Sequence, residues 1–142
     1  MKTLIFLVVL VAVFLVIKRI MSGPSIGPLA ASEKVKAGGA LLIDVREPGE
    51  WAGGVANGAL LLPLSDLRGA RKRWAAVLES NRGKELIVYC ASGMRSGMAA
   101  GLLRKEGFRA ANAGGFSAWR AAGLPVGQPQ AQEAPESGGS LR

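Results

Sequence analysis

The single cysteine of this 142-residue chain, Cys90, sits in the stretch where residue types and spacing best suit chemistry. It closes the apolar run Glu85-Leu86-Ile87-Val88-Tyr89, and Ala91-Ser92-Gly93-Met94 leads from it to Arg95. The run reads as a buried strand over 85–89, and the residues from about Arg95 to Glu106 as a helix. The sulfur is therefore expected at the carboxyl end of a strand, where open α/β sheets bind their ligands. A short loop entering a helix offers unpaired N–H groups and the positive end of the helix dipole. Curled around the sulfur, such a loop aims its amides inward as an anion-binding nest. Gly93 allows the positive φ that the curl needs, and Arg95 adds a fixed positive charge. Each feature favours thiolate over thiol, so the pKa of Cys90 is expected to fall. This is activation of a nucleophile by backbone and dipole, with no general base. The plainer reading of a lone cysteine ending an apolar strand is a small buried hydrophobe. Gly93 and Arg95, placed behind it and ahead of a helix, favour chemistry.

Composition narrows that chemistry. There are no histidines, which excludes a Ser-His-Asp triad, a Cys-His pair and any His-ligated metal. One cysteine excludes both a disulfide framework and a Cys-rich zinc site. Lys plus Arg is 18 and Asp plus Glu is 10, a net charge of +8. Residues 29–126 hold 14 of those bases and 8 of the acids, a net +6. That balance attracts small anions or anionic head groups. The only basic run is Arg71-Lys72-Arg73, with no accompanying nucleic-acid motif, so no nucleic-acid partner is expected. The run reads as a solvated helix face.

The elements that must position Cys90 alternate between strand and helix. Leu29–Ala37 is expected as a short helix stopped by Gly38-Gly39. Ala40–Val45 and Ala59–Leu62 read as strands, the second closed by Pro63. A helix from Asp66 to about Glu79, capped by Ser65, places Leu67, Ala70, Trp74, Val77 and Leu78 on one face. After the 85–89 strand, the next helix turns Met98, Ala99, Leu102 and Leu103 inward and stops at Gly107. A weak strand near Arg109–Asn112 and a helix near Phe116–Ala121 complete the series. Alternating βα units with wholly apolar strands predict an α/β fold, a small parallel sheet with helices on both faces.

The mean hydropathy of +0.27 traces to Thr3–Ile17, fifteen residues without charge. These span about 22 Å as a helix, against about 30 Å of bilayer core, and reach further if Lys18 and Arg19 snorkel. Residues 1–21 are expected as one transmembrane helix, making the chain a single-pass cell-membrane protein. A cleaved signal peptide with export, or a buried core helix, are the alternatives. Flanking bases place the domain on the cytoplasmic side. Residues 22–28 form a Gly/Pro/Ser linker, 29–126 the folded domain and 127–142 a disordered polar tail.

Four segments carry a resemblance to a known family. Cys90-Ala91-Ser92-Gly93-Met94-Arg95 resembles the Cys-x-x-Gly-x-Arg active-site loop of single-domain rhodaneses, which are sulfurtransferases. Leu42-Ile43-Asp44-Val45-Arg46-Glu47-Pro48 resembles the family's first-strand motif, and 54–64 (GVANGALLLPL) its Gly-His-Ile-Pro-Gly-Ala segment. Gly114-Gly115-Phe116-Ser117-Ala118-Trp119 resembles its late Gly-Gly-x-x-x-Trp motif. The segments occur in order over about 29–124. The resemblance implies a rhodanese-like fold and a Cys90 persulfide. Cys90 attacks the sulfane sulfur of a small anionic donor such as thiosulfate, and a thiol or cyanide removes it. The loop residues Ala91, Ser92, Gly93, Met94 and Arg95 hold the substrate, and no cofactor or metal is implied. Arg95 either orients the donor or pins the loop by an ion pair. Asp44 and Arg46 are expected as supporting residues, with local ion pairing as their plainer role; Glu50 is read in the same way.

Val55 and Asn57 depart from the family's usual His and Pro, and Ala91 and Met94 make the loop less basic than in thiosulfate-specific members. Cysteine phosphatases space Cys and Arg by five residues, and here Ser96 takes the position of that Arg. The shorter ring suits sulfur better than a phosphoryl group. The rival to an enzyme is a non-catalytic binding or redox-sensing module at the membrane.

Overall fold

The computed structural model describes residues 1–130, without the side chains of 19–22. Its centre is a four-stranded parallel sheet in the order β3-β1-β4-β5. The strands are β1 (Ala40–Asp44), β3 (Leu60–Leu61), β4 (Glu85–Cys90) and β5 (Ala110–Gly115). β1 and β4 run in register from Ala40 opposite Glu85 to Asp44 opposite Tyr89. Apart from Asp44 and Glu85 at their ends, both strands are apolar on both faces because both faces are covered. Side chains alternate across a strand, so Leu86, Val88 and Cys90 join Ile43 and Val45 on one side. There they pack against α3 (Leu64–Arg68), α4 (Trp74–Ser80) and α5 (Met94–Lys105), through Leu67, Trp74, Ala99 and Leu103. Ile87 and Tyr89 join Leu42 on the other side, against α2 (Pro28–Lys36) and α6 (Phe116–Ala121). The expected helix–sheet–helix sandwich is present.

One predicted helix is two. The stretch expected as a single helix to Glu79 breaks at Gly69–Arg73, where Arg71 adopts φ 55°. The Asp66 carboxylate accepts N–H bonds from Lys72, Arg73 and Trp74 in the connection (2.9, 2.9 and 3.3 Å). A short side chain that binds backbone amides competes with the helix ladder. Arg71-Lys72-Arg73 thus lies on a turn rather than a helix face. Ser65 caps nothing; its hydroxyl donates to Glu47 (2.7 Å).

A 3₁₀ turn over Pro48–Gly53 and an antiparallel pair, β2 (Val55–Ala56) with β6 (Val126–Gly127), had no periodicity to announce them. Segments this short are set by tertiary contacts. Residues 24–26, expected as linker, pair with the outer edge of β5. Asn112 N–H donates to Pro24 O (3.1 Å), and Ile26 N–H donates to Asn112 O (3.0 Å). The tail expected over 127–142 falls, from 131 onward, outside the described residues.

The N-terminal segment corrects the membrane expectation. It forms α1 (Lys2–Ser22), but among the described residues no helix is long and apolar enough to cross a membrane. The physical reason is length: its uncharged part ends between Lys2 and Lys18, about 22 Å of helix against about 30 Å of hydrocarbon. The single-pass anchor, the cell-membrane location and the cytoplasmic side assigned from it are withdrawn. The alternative of a core helix fails separately, because the large apolar side chains from Leu4 to Ile17 are exposed.

Candidate active site

β4 delivers Cys90 to the end of the sheet, on the face covered by α5. The loop 91–93 then turns sharply into α5. Gly93 makes the turn at φ 94°, a conformation that costs side-chain-bearing residues free energy. Its N–H points back to Cys90 Sγ at 3.0 Å. Burial pushes the Cys90 thiol up. Hydrogen bonds from the Ser96 hydroxyl and from the amides of Ser96, Ser92 and Gly93 outweigh burial and hold it below the ordinary thiol value. The curl expected at Gly93 is present, and its amide faces the sulfur. Ala91, Ser92 and Met94 are exposed around the buried sulfur.

The floor of this loop is the end of β5. Pairing between β4 and β5 shifts register just before Cys90, which lies opposite Gly115. A Cβ on Gly115 would stand 2.5 Å from the Ala91 carbonyl oxygen, and one on Gly93 would stand 3.1 Å from Gly114 Cα. Gly114-Gly115, the two glycines that open the 114–119 motif, are the surface on which the cysteine loop lies.

Arg95 is committed in this structure. Its guanidinium makes a two-pronged pair with Glu50, with both N–O distances at 2.6 Å. The Arg95 charge holds the Glu50 carboxyl down at about 2, and Glu50 in turn holds the Arg95 guanidinium above its ordinary value. Of the two roles open from sequence, the ion pair that pins the loop is the one seen.

Asp44 and Arg46 form a separate buried network on the opposite face. Arg46 Nε and Nη2 donate to the Asp44 carboxylate (3.0 and 2.7 Å), and the Tyr89 hydroxyl donates to Asp44 Oδ2 (2.6 Å). Burial works against the Arg46 charge, yet Asp44 outweighs it and raises the guanidinium above its ordinary value. Burial and the Asp44 charge together push the Tyr89 hydroxyl far up. Arg46 also lies 4.4 Å from the Phe116 ring centroid. Its other N–H groups donate to the carbonyls of Glu50 and Gly54 (3.3 and 2.8 Å). The hydrogen bonds described for this pair do not reach residues 90–95. Their link to the loop runs through the 3₁₀ turn that carries Glu50.

Three polar contacts near the sulfur were not foreseen. Ser96 Oγ is 3.3 Å from Cys90 Sγ and 2.7 Å from Asn112 Oδ1. Asn112 Nδ2 donates to Gly93 O (2.8 Å). The sequence offered one usable sign: a small polar residue in the first turn of the helix behind Cys90. Asn112 had none, because only strand order brings β5 beside β4. Chemically, the arrangement can hold a thiolate, and a sulfur anion extending from it, in a ring of amides.

A family model described as "Rhodanese-like domain" matches residues 28–122. The chain is 37% identical over 118 residues to a Bacillus subtilis protein named "Uncharacterized protein YqhL", covering 80% of this chain and 84% of that one. A protein of Allochromatium vinosum named "Sulfurtransferase" is 35% identical over 92 residues, covering 63% of this chain and 80% of its own length. The crystal structure of a rhodanese-related protein from Thermoplasma volcanium superposes with a TM-score of 0.63 at 33% identity. It covers 75% of this chain and 99% of the other. The motifs seen in the sequence, the parallel sheet that orders them and the span of the model match agree: the chain belongs to the rhodanese-like domain family.

Proposed function

We propose that the protein is a sulfurtransferase working by a two-step exchange through Cys90. The observation that carries this reading is the pair of donors on the buried Cys90 sulfur, the Gly93 N–H at 3.0 Å and the Ser96 hydroxyl at 3.3 Å, which favour thiolate over thiol. In the first step the Cys90 thiolate attacks the sulfane sulfur of an anionic donor. With thiosulfate, the S–S bond breaks, sulfite leaves with the electron pair, and Cys90 carries a persulfide. In the second step a thiolate or cyanide attacks the outer sulfur. The new bond forms there, the inner S–S bond breaks, and its electrons return to Cys90 Sγ as thiolate. No net redox change occurs and no general base is used, which suits a chain without histidine.

The role of the loop follows from its geometry. Amides that stabilise the thiolate also serve the anionic outer sulfur, at no cost of reorganisation during reaction. Arg95, neutralised by Glu50, adds little net charge for a dianionic donor. Donor recognition then rests on the amides at the exposed rim, 91–94.

Wild-type protein incubated with thiosulfate, or with an alkyl persulfide, is expected to gain the mass of one sulfur at Cys90 and lose it to cyanide. Cys90→Ser is expected to gain none and to transfer none. Turnover retained by Cys90→Ser refutes the reading, and no uptake by the wild type from either donor leaves a binding module.

A further inference from the structure

The Ser96 hydroxyl carries one proton and has two acceptors. One is Cys90 Sγ at 3.3 Å and the other is Asn112 Oδ1 at 2.7 Å. The amide of Asn112 has only one workable orientation. Its oxygen faces the Gly114 N–H (2.9 Å) and its nitrogen faces the Gly93 carbonyl (2.8 Å). Turning it over would set donor against donor and acceptor against acceptor. Asn112 therefore presents Ser96 with an acceptor alone. The backbone of Asn112 is held on its outer side by Pro24 and Ile26, so this acceptor does not move away. Ser96 is fully buried, which leaves its hydroxyl no solvent to turn to.

Resting on the transfer reading above, we propose that Ser96 is a catalytic donor whose single proton turns between Asn112 and Cys90, with Asn112 the positioning residue that holds it when Cys90 bears no charge. With a thiol at Cys90, S–H donates to Ser96 Oγ and Ser96 donates to Asn112. With a thiolate, the hydroxyl turns and donates to Sγ. In the persulfide, the negative charge moves to the outer sulfur and Sγ becomes a neutral bridging atom, so the hydroxyl returns to Asn112. When an acceptor thiolate or cyanide takes the outer sulfur, the inner S–S bond breaks and its electron pair lands on Sγ. The Ser96 proton then swings back to that developing charge. The hydroxyl thus stabilises the leaving group in the second step. Asn112 competes with Sγ for the proton and keeps the hydroxyl satisfied between turns.

The two residues consequently act on the sulfur with opposite signs. Ser96→Ala removes the donor. It is expected to raise the Cys90 titration midpoint by about one pH unit, the scale of one hydrogen bond to a charged group. It should also slow persulfide discharge to cyanide on the order of tenfold in single-turnover mixing. Asn112→Ala removes the competitor, so it is expected to lower the midpoint when Ser96 is present and to leave it unlowered in the Ser96→Ala background. A purely structural role predicts upward shifts of the same size in both backgrounds, and that result overturns the proposal. Unchanged discharge in Ser96→Ala also overturns it. The titrations, read by the ultraviolet absorbance of the thiolate, need no sulfur donor. Wild-type protein that takes up no sulfur refutes the transfer reading instead, so the two failures are separable.

Discussion

Gly115→Ala tests whether the end of β5 is the floor of the cysteine loop. Gly115 has an ordinary backbone, with φ at −98°, so the substitution carries no conformational penalty of its own. Its cost is spatial. The new Cβ would meet the Ala91 carbonyl oxygen at 2.5 Å, its carbon at 3.2 Å and Ser92 Cα at 3.3 Å. All three are backbone atoms, which cannot swing aside as a side-chain tip does. Restoring ordinary contact at 3.4 Å requires the loop to lift by about 0.9 Å. The atoms that lift lie between Cys90 and Gly93, whose amide binds the sulfur at 3.0 Å. A displacement near 1 Å costs reacting groups about 100-fold in rate, while overpacking costs about 1–3 kcal/mol of stability. Transfer kcat/KM and the denaturation midpoint, measured together, separate the two effects. The expected result is a loss of transfer far beyond any loss of folded fraction. Gly39→Ala, where nothing lies within 4 Å, serves as the neutral control. Transfer equal to wild type in Gly115→Ala refutes the argument that this glycine sets the loop.

Arg46→Met strands the fully buried Asp44 carboxylate, so it is expected to cost about 3–5 kcal/mol in denaturant unfolding; a loss under about 1 kcal/mol contradicts the buried network. Glu50 has a folded pKa of about 2 against an ordinary 4.5. Its pairing with Arg95 therefore stabilises the fold fully above 4.5, and that contribution fades as the pH falls through 2. Because both side chains are about a third exposed, Glu50→Gln is expected to cost no more than about 1 kcal/mol. The transfer profile of the wild type should show no step from Glu50 between pH 5 and 7, and a step there that Glu50→Gln abolishes contradicts the assignment.

The sandwich was legible because its signals are local and long. β1 and β4 are apolar apart from a charged residue at one end of each. α5 stops before Gly107 with Ala99 and Leu103 inward, although Met98, expected inward beside them, is exposed because it lies off the face that meets the sheet. The cysteine loop was legible for a related reason: Cys90, Gly93 and Arg95 lie within six consecutive residues, Gly93 placed to donate to the sulfur and Arg95 to pin the loop through Glu50. What escaped depends on strand order. Glu50 reaches Arg95 across 45 residues, and Asn112 reaches Ser96 across 16. Neither distance leaves a trace in periodicity. Asp44 and Arg46 make the local ion pair that was their plainer reading, and side-chain alternation sends them to the face away from Cys90. The break at Arg71 was hidden because Asp66, a residue compatible with a first helical turn, spends its carboxylate on the amides of 72–74 instead. The anchor expectation failed on length, since fifteen uncharged residues fall short of a bilayer core.

The proposed chemistry depends on the charge of one sulfur atom. The most direct measurement is the ultraviolet absorbance of the thiolate across pH, taken as the difference between wild type and Cys90→Ser, which needs no reagent to reach a buried residue. Half-titration well below the free-cysteine value of about 8.5 is predicted. A midpoint at or above that value would mean that burial outweighs the amides, and it would contradict the account.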